Sequence, residues 1–403
     1  MGASGISLMG NQLTALAIPW FVLATTGSAA SAGLVGVAAV LPAVLAAFLG
    51  GAVVDRLGPK RTSIVADVLS GVAIALIPLL YVSVGLPFAV LLVLVFLGAL
   101  LDTPGVTARL ALLPEVATGA RVSLERANGA YHSLENLAGV AGPLLAGVLV
   151  AVFGATSVMW FDAATFAISA VLVARLVPAL AAAPRQEAGG YRADVALGWQ
   201  VLRQDRFLRA MTTAAVVLNF LGAPLFAVIL PVYGMRTYGS ATALGTLLAS
   251  FGVGMLAGSL LFSLRGEQLP RRGLLLGGLA LTALPLAALV ALPPLPVAMA
   301  ALALAGLGSG PINPLVFTVL QERVPADMRG RVFGTIIGTA LAAAPLGMAA
   351  AGFLVESMGV QAVLAIIAGG FLAVAIFALL APGFRALDTP VTGGSEPAPA
   401  ADG

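Results

Sequence analysis

Apolar runs of about twenty residues recur along this chain almost from its first residue to near its end, and the charges between them fall in short clusters. Residues 1–54 carry no charged side chain at all. A helix needs ~20 apolar residues to cross a bilayer. It is also the simplest segment that satisfies its own backbone hydrogen bonds in hydrocarbon. Of the 403 residues, 60% are hydrophobic and 9% are charged. Soluble domains average about 25% charged, so this chain has too little polar surface to cover a body of its size. The apolar share suffices for roughly twelve spans. The sequence therefore predicts an all-α membrane protein of twelve transmembrane helices. They are expected at about 4–26, 30–53, 62–83, 86–108, 125–152, 156–178, 208–234, 241–264, 272–292, 295–320, 330–354 and 360–382.

The basic residues take sides. Nineteen of 20 follow even-numbered spans, at Arg56/Lys60/Arg61, Arg109/Arg121/Arg126, Arg175 through Arg209, Arg265/Arg271/Arg272, Arg323/Arg329/Arg331 and Arg385; the other face has Arg236. Cytoplasmic loops retain Lys and Arg. The asymmetry predicts an even span count with both termini in the cytoplasm. It also accounts for the net charge of +3 without a nucleic-acid surface.

The longest polar stretch between spans, 179–206, sits at the midpoint and holds Pro184, Gly189, Gly190 and seven charged residues. It divides the chain into an N-terminal six-helix half, 1–178, a cytoplasmic linker, 179–206, and a C-terminal six-helix half, 207–386. Residues 387–403 read as a disordered cytoplasmic tail by composition. The halves echo each other: Ala141-Gly142-Pro143-Leu144 in span 5 matches Ala344-Pro345-Leu346-Gly347 in span 11, and an acid- and arginine-bearing loop precedes each.

Several chemistries are excluded. There is no cysteine, and His132 is the one histidine, so disulfides, thiol catalysis and cysteine or multi-histidine metal sites are ruled out. No metal, no cofactor and no convergent catalytic set is expected, so the chain does not read as an enzyme. Gly306–Gly310 and Gly252-Val253-Gly254 lie inside apolar runs without the Lys-Ser/Thr of a phosphate loop. They read as small-residue helix packing.

Ionisable residues inside spans are expensive and functional by default. They are Asp67 in span 3, Asp102 in span 4, His132 and Glu135 in span 5, and Asp162 in span 6. Glu135 lies about ten residues into its span, roughly 15 Å deep at ~1.5 Å per residue, with His132 one turn away on the same face. Low dielectric favours the neutral form of a carboxyl. Glu135, with His132 and Asp162, is therefore a candidate for proton coupling; the alternative for Glu135 is a structural hydrogen bond or a place in the cytoplasmic vestibule. Asp67 and Asp162 lie close enough to span ends to reach interfacial water. Asn11, Gln12, Asn136, Asn219 and Asn313 also lie in apolar runs, and Trp20, Phe21, Phe220 and Phe226 can contact an apolar ligand or simply pack.

Between spans 2 and 3 runs Gly51-Ala52-Val53-Val54-Asp55-Arg56-Leu57-Gly58-Pro59-Lys60-Arg61. It resembles the G-x-x-x-D-R-x-G-x-[RK]-[RK] loop of the major facilitator superfamily. Pro59 stands where a basic residue is usual, which passes that role to Lys60 or Arg61. Gly139-Val140-Ala141-Gly142-Pro143-Leu144-Leu145-Ala146-Gly147 in span 5 resembles the G-x-x-x-G-P-x-x-G motif of the exporter branch, carried here by Gly139, Gly142, Pro143 and Gly147. Leu101-Asp102-Thr103-Pro104-Gly105 through Leu113-Pro114, and Gly306 through Val324-Pro325 followed by Arg329-Gly330-Arg331-Val332, are similar to the drug:proton antiporter branch that includes macrolide-efflux and enterobactin-exporter proteins.

The resemblance implies two pseudo-symmetric six-helix halves around a central cavity lined by spans 1, 4, 7 and 10. On that map Asn11, Gln12, Trp20, Asn136, Asn219, Phe220 and Asn313 are cavity candidates. Asp55, Arg56, Gly58, Lys60, Arg61, Asp67 and Asp102 would form a cytoplasmic gate, with Asp67 joining an Asp55/Arg61/Asp102 network. The implied function is proton-coupled efflux of a small amphipathic drug, antibiotic or siderophore-like compound by alternating access, in a bacterial cytoplasmic membrane. The implied partners are that substrate, protons and lipid; a monomer and no nucleic acid are expected. A nutrient importer or facilitator of the same fold, or a non-transporting sensor, remains open. Members of the family usually carry a short basic leader, so a truncated start is expected here.

Overall fold

The computed structural model describes residues 2–119, 121–177, 191–325, 328–385 and 387, apart from the side chains of 46–56, 191–196 and 267. The described residues are helical, with no strand among them. The long helices are α1 (Gly2–Thr26), α2 (Ala29–Leu57), α3 (Pro59–Ser83) and α4 (Phe88–Ala111). A short α5 (Leu113–Gly119) precedes α6 (Leu124–Phe153) and α7 (Ala155–Leu176). Then come α8 (Tyr191–Gln204), α9 (Arg206–Tyr238), α10 (Ala241–Arg265), α11 (Arg271–Ala291), α12 (Leu295–Arg323), α13 (Arg329–Leu380) and a last turn, α14 (Pro382–Arg385).

Among the described residues, ten of these helices are long and apolar enough to cross a membrane. Their ends fall within four residues of the expected boundaries. The 52-residue α13 is interrupted at Gly359, whose φ of 85° and ψ of 160° no α-helix passes through. A residue with a Cβ is strained at that φ, which is why the chain turns there. Two polar connections contain helix of their own. The stretch around Glu115 forms α5, and the polar segment 179–206 contains α8, whose Leu202 is buried and whose Gly198 abuts the backbone of Arg331. Residues 178–190, and 388–403 of the expected tail, lie outside the described residues.

The helices sort into an N-terminal group, α1 to α7, and a C-terminal group, α9 to α14. Small residues let them approach. In the C-terminal group α10 and α12 meet through Gly254 against Ala303 and Gly306 against Phe251 and Met255. The two Gly-rich runs are therefore backbone contacts within helices. A Cβ at Gly306 would strike the Phe251 carbonyl and the Met255 amide, which cannot swing aside as a side chain can. Gly306→Val is expected to lower stability by roughly 1–3 kcal/mol, the usual range for overpacking, read as an earlier thermal melting midpoint in detergent. The outer surface is apolar, with Val82, Leu176, Leu264 and Leu346 all exposed. Such a surface is suited to lipid.

Two pairs of helices make the closest backbone contacts between the groups. Gly33 and Gly36 of α2 pack on Met348 and Gly352 of α13, and Pro143 and Gly147 of α6 pack on Ala241 and Gly245 of α10. Both contacts lie toward the end of the molecule that is poor in arginine. Helix α9 is irregular there. Pro231 has no amide hydrogen and its ring crowds the preceding turn. The Leu230 amide instead reaches back five residues to the Leu225 carbonyl, in a π turn over Leu225–Ile229. That turn carries Ala227 to the N-terminal group.

Candidate functional site

Helices α1, α2, α3, α4 and α7, with Ala227 of α9, line a cavity of about 310 Å³. Ligand sites typically occupy about 300–1,000 Å³. Most of its wall is apolar and includes Ile18, Val35, Val40, Ile74, Val95 and Phe166. One side is polar and holds Asn11, Thr14, Asp102 and Asp162.

The two acids are held differently. Asp162 of α7 accepts hydrogen bonds from the hydroxyls of Thr14 on α1 and Thr165 one turn away, the latter at 3.2 Å. Gly10 allows that approach, since a Cβ there would collide with both Asp162 and Thr165. Asp102 of α4 accepts from the Asn11 amide at 2.9 Å and lies 3.4 Å from the Arg109 guanidinium. Arg109 donates its other terminal nitrogen to Asp67 of α3 at 2.5 Å, and the Ser169 hydroxyl donates to the second Asp67 oxygen at 2.7 Å. One guanidinium thus ties a fully buried carboxylate to one that faces the cavity. Charges buried this way persist only when paired and hydrogen-bonded.

The sequence placed Asp67 and Asp162 within reach of interfacial water, and this is corrected: their exposures are 0% and 1%. Distance from a span end measures depth, but neighbouring helices decide exposure, and α1 and α4 cover these two. The cation between Asp67 and Asp102 is Arg109, read before only as part of the basic edge, while Arg61 is exposed. Lys60 is half-buried, and Gly58 turns at a φ of 77° immediately before α3. The side chains of Asp55 and Arg56 lie outside the described residues.

Glu135 and His132 lie 3.1 Å apart with 52% and 66% of their side chains exposed. Their position follows from helical phase. Residues 135, 139, 142 and 146 form one stripe of α6, and 136, 140, 143 and 147 the next. Toward the arginine-poor end both stripes are sealed, Gly142 by Gln12 and Gly147 by Gly245. Toward the arginine-rich end the same stripes, at Glu135 and Asn136, are open. The α6 surface at Glu135 and Asn136 is thus uncovered at the arginine-rich end. In the span 5 motif, Gly142 and Gly147 make close contacts, Pro143 sits within the helix, and a Cβ on Gly139 would meet nothing within 4 Å.

The remaining polar and aromatic candidates scatter. Gln12 packs on Gly142, Trp20 leans on the core, and Phe220 is exposed. Asn219 and Asn313 line a separate cavity of about 130 Å³ inside the C-terminal group, where the Asn219 amide bonds the Ala215 carbonyl of its own helix. Sequence reasoning missed Thr14, Thr165, Ser169 and Arg109 as members of the site. A signal existed for two of them: Arg109 follows Asp102 by seven residues, and Ser169 follows Asp162 by seven. That spacing spans two helical turns and returns to the same face.

A cavity with polar and acidic side chains on one wall, among helices long and apolar enough to cross a membrane, fits a multi-pass membrane transporter. The family description "Major Facilitator Superfamily" matches residues 1–241 and 212–401, and the chain belongs to that superfamily. It is 35% identical over 393 residues to "Multidrug efflux pump Tap" of Mycobacterium tuberculosis, covering 96% of this chain and 93% of the relative. It is 25% identical over 367 residues to "Macrolide efflux protein A" of Streptococcus pyogenes, covering 88% of each. The solved structure of nucleoside transporter NupG has the same fold, with a TM-score of 0.76 at 14% identity over 96% of this chain and 97% of that one.

Proposed function

We propose that this chain exports small amphipathic compounds across the bacterial cytoplasmic membrane by alternating access, in exchange for protons. The observation that carries the reading is the cavity itself: apolar on most sides, with two carboxylates on one wall. Relatives named as drug and macrolide efflux proteins support the substrate class. The twelve-span reading counts the ten long apolar helices, adds the 29-residue α2 and divides α13 at Gly359. The halves are 1–178 and 207–386, joined by 179–206, and the arginine-rich end with both termini is cytoplasmic.

In this mechanism a groove between the groups admits substrate from the cytoplasm. Asp102 keeps its contact with Arg109. Asp162, held by hydroxyls, carries the exchangeable proton: it is loaded when the cavity faces outward and released when substrate arrives from inside. Glu135 and His132, at the cytoplasmic mouth of the groove, pass that proton to water. Asp55, Arg56, Gly58, Lys60 and Arg61 hold the cytoplasmic side shut in the opposite state.

The test is proton release from energised inverted vesicles, followed by a pH-gradient dye while macrolides, lipophilic cations and siderophores are added in turn. One class is expected to discharge the gradient, with the effect lost in Asp162→Asn and weakened in Glu135→Gln. Discharge that survives Asp162→Asn overturns the proton assignment. Uptake of labelled compound without any proton movement points instead to a facilitator.

A further inference from the structure

We propose that Glu356 is a latch that holds the arginine-poor end of the transporter shut by capping the first turn of α2 from the opposite helix group. That face of the chain is nearly free of charge. Following the spans through the sequence, Glu356 is its one acid and Arg236 its one base. The acid is used across the boundary between the groups. Glu356, on α13, accepts a hydrogen bond from the Ser28 hydroxyl at 2.9 Å and another from the Ala30 amide at 2.9 Å, both at the same carboxylate oxygen.

The local chemistry favours this contact. The first amides of any helix lack intrahelical partners, and a carboxylate there is attracted by them and by the helix dipole. In α2, Ser28 satisfies one amide from within its own chain segment, that of Ser31 at 3.1 Å. Glu356 satisfies another from outside. Arg236 lies near enough to add a favourable charge interaction. Directly beneath, Gly33 meets Gly352 and Gly36 meets Met348, so closely that a Cβ on Gly33 would strike the Met348 carbonyl. The latch and the glycine seam therefore share one pair of helices. Parting α2 from α13 breaks both Glu356 bonds together. Because the carboxylate sits at the surface, water can replace the lost partners, so the latch biases the closed end without locking it.

The contact stands by itself, while its role in transport rests on the alternating-access reading above. The chain has no cysteine, so Met348→Cys provides a single thiol under the seam. Its reaction with a polar maleimide is timed in nanodiscs, in the Met348→Cys background alone and with Glu356→Ala, Glu356→Gln or Ser28→Ala. Glu356→Ala is expected to speed labelling by roughly fivefold, the low end of typical two-state coupling. Ser28→Ala should give a smaller rise. Glu356→Gln should fall between, because its amide oxygen still accepts from both donors. If Glu356→Ala misfolds, the other two variants decide. Labelling at the background rate in the folded variants overturns the latch, even if compounds are still exported. Faster labelling in a chain that exports nothing leaves the latch standing and removes the transport reading instead.

Discussion

Asparagine in place of Asp162 is expected to leave the transporter folded and to abolish its response to a pH gradient. The amide has nearly the size of the carboxylate; its oxygen can accept from one of the two hydroxyls of Thr14 and Thr165, and its NH2 can donate to the oxygen of the other. The close approach of α1 to α7 at Gly10 is therefore kept. What disappears is the titratable oxygen. A group that takes up and releases the exchanged proton couples export to the gradient, so gradient-driven accumulation should fall to the level of uncoupled exchange. Exchange of labelled compound across vesicles without a gradient should persist, since the apolar walls remain. A melting midpoint close to that of the parent would separate this outcome from misfolding. Gradient-driven export at the parental rate would move the proton site elsewhere, with Glu135 the next residue to change.

Removing Arg109 should act on the fold instead. Arg109→Leu strips the cation from Asp67, which is fully buried and keeps the Ser169 hydroxyl as its remaining described partner. Breaking one side of a buried pair typically costs about 3–5 kcal/mol, because it strands the other charge in low dielectric. The expected result is a large drop in melting temperature and in yield of folded protein. Asp67→Asn should be much milder: the Arg109 guanidinium keeps Asp102 at 3.4 Å and can donate to the amide oxygen, while the amide NH2 donates to the Ser169 hydroxyl oxygen. The double variant Asp67→Asn/Arg109→Leu should recover much of the loss of Arg109→Leu. That non-additivity is the mark of a directly coupled pair. Equal losses in Arg109→Leu and in the double variant would mean that Arg109 supports the bundle by packing alone.

Much of this architecture is legible without coordinates. Span ends come within four residues because a charge, a proline or a glycine lies close to them, as at Pro59, Gly154 and Gly359. The Gly252–Gly254 and Gly306–Gly310 runs read correctly as packing because apolar context excludes a phosphate loop. The site was less legible. Glu135 has the deepest position in its span, yet its side chain is 52% exposed, whereas Asp162, nearer a span end, is covered by α1. Asp67 was assigned to a gate at Arg61 because charge and proximity in sequence suggested it, but its partner is on α4. Gln12 and Asn11 are neighbours in the same helix, and only Asn11 lines the cavity; Gln12 turns to Gly142.

The division has a single physical origin. A bilayer acts on every residue according to its depth, and depth runs along the chain, so composition alone is enough to mark the spans. The same one-dimensional reading carries the sidedness of the arginines and the stretches rich in small residues. The pairing of Asp67 with Arg109, the hydroxyl cradle of Asp162 and the reach of Glu356 to the α2 terminus depend on how each helix is rotated about its axis and which helix stands beside it. Those rotations are set by contacts between residues far apart in sequence, such as Gly33 with Gly352, and they exist only once the bundle has formed.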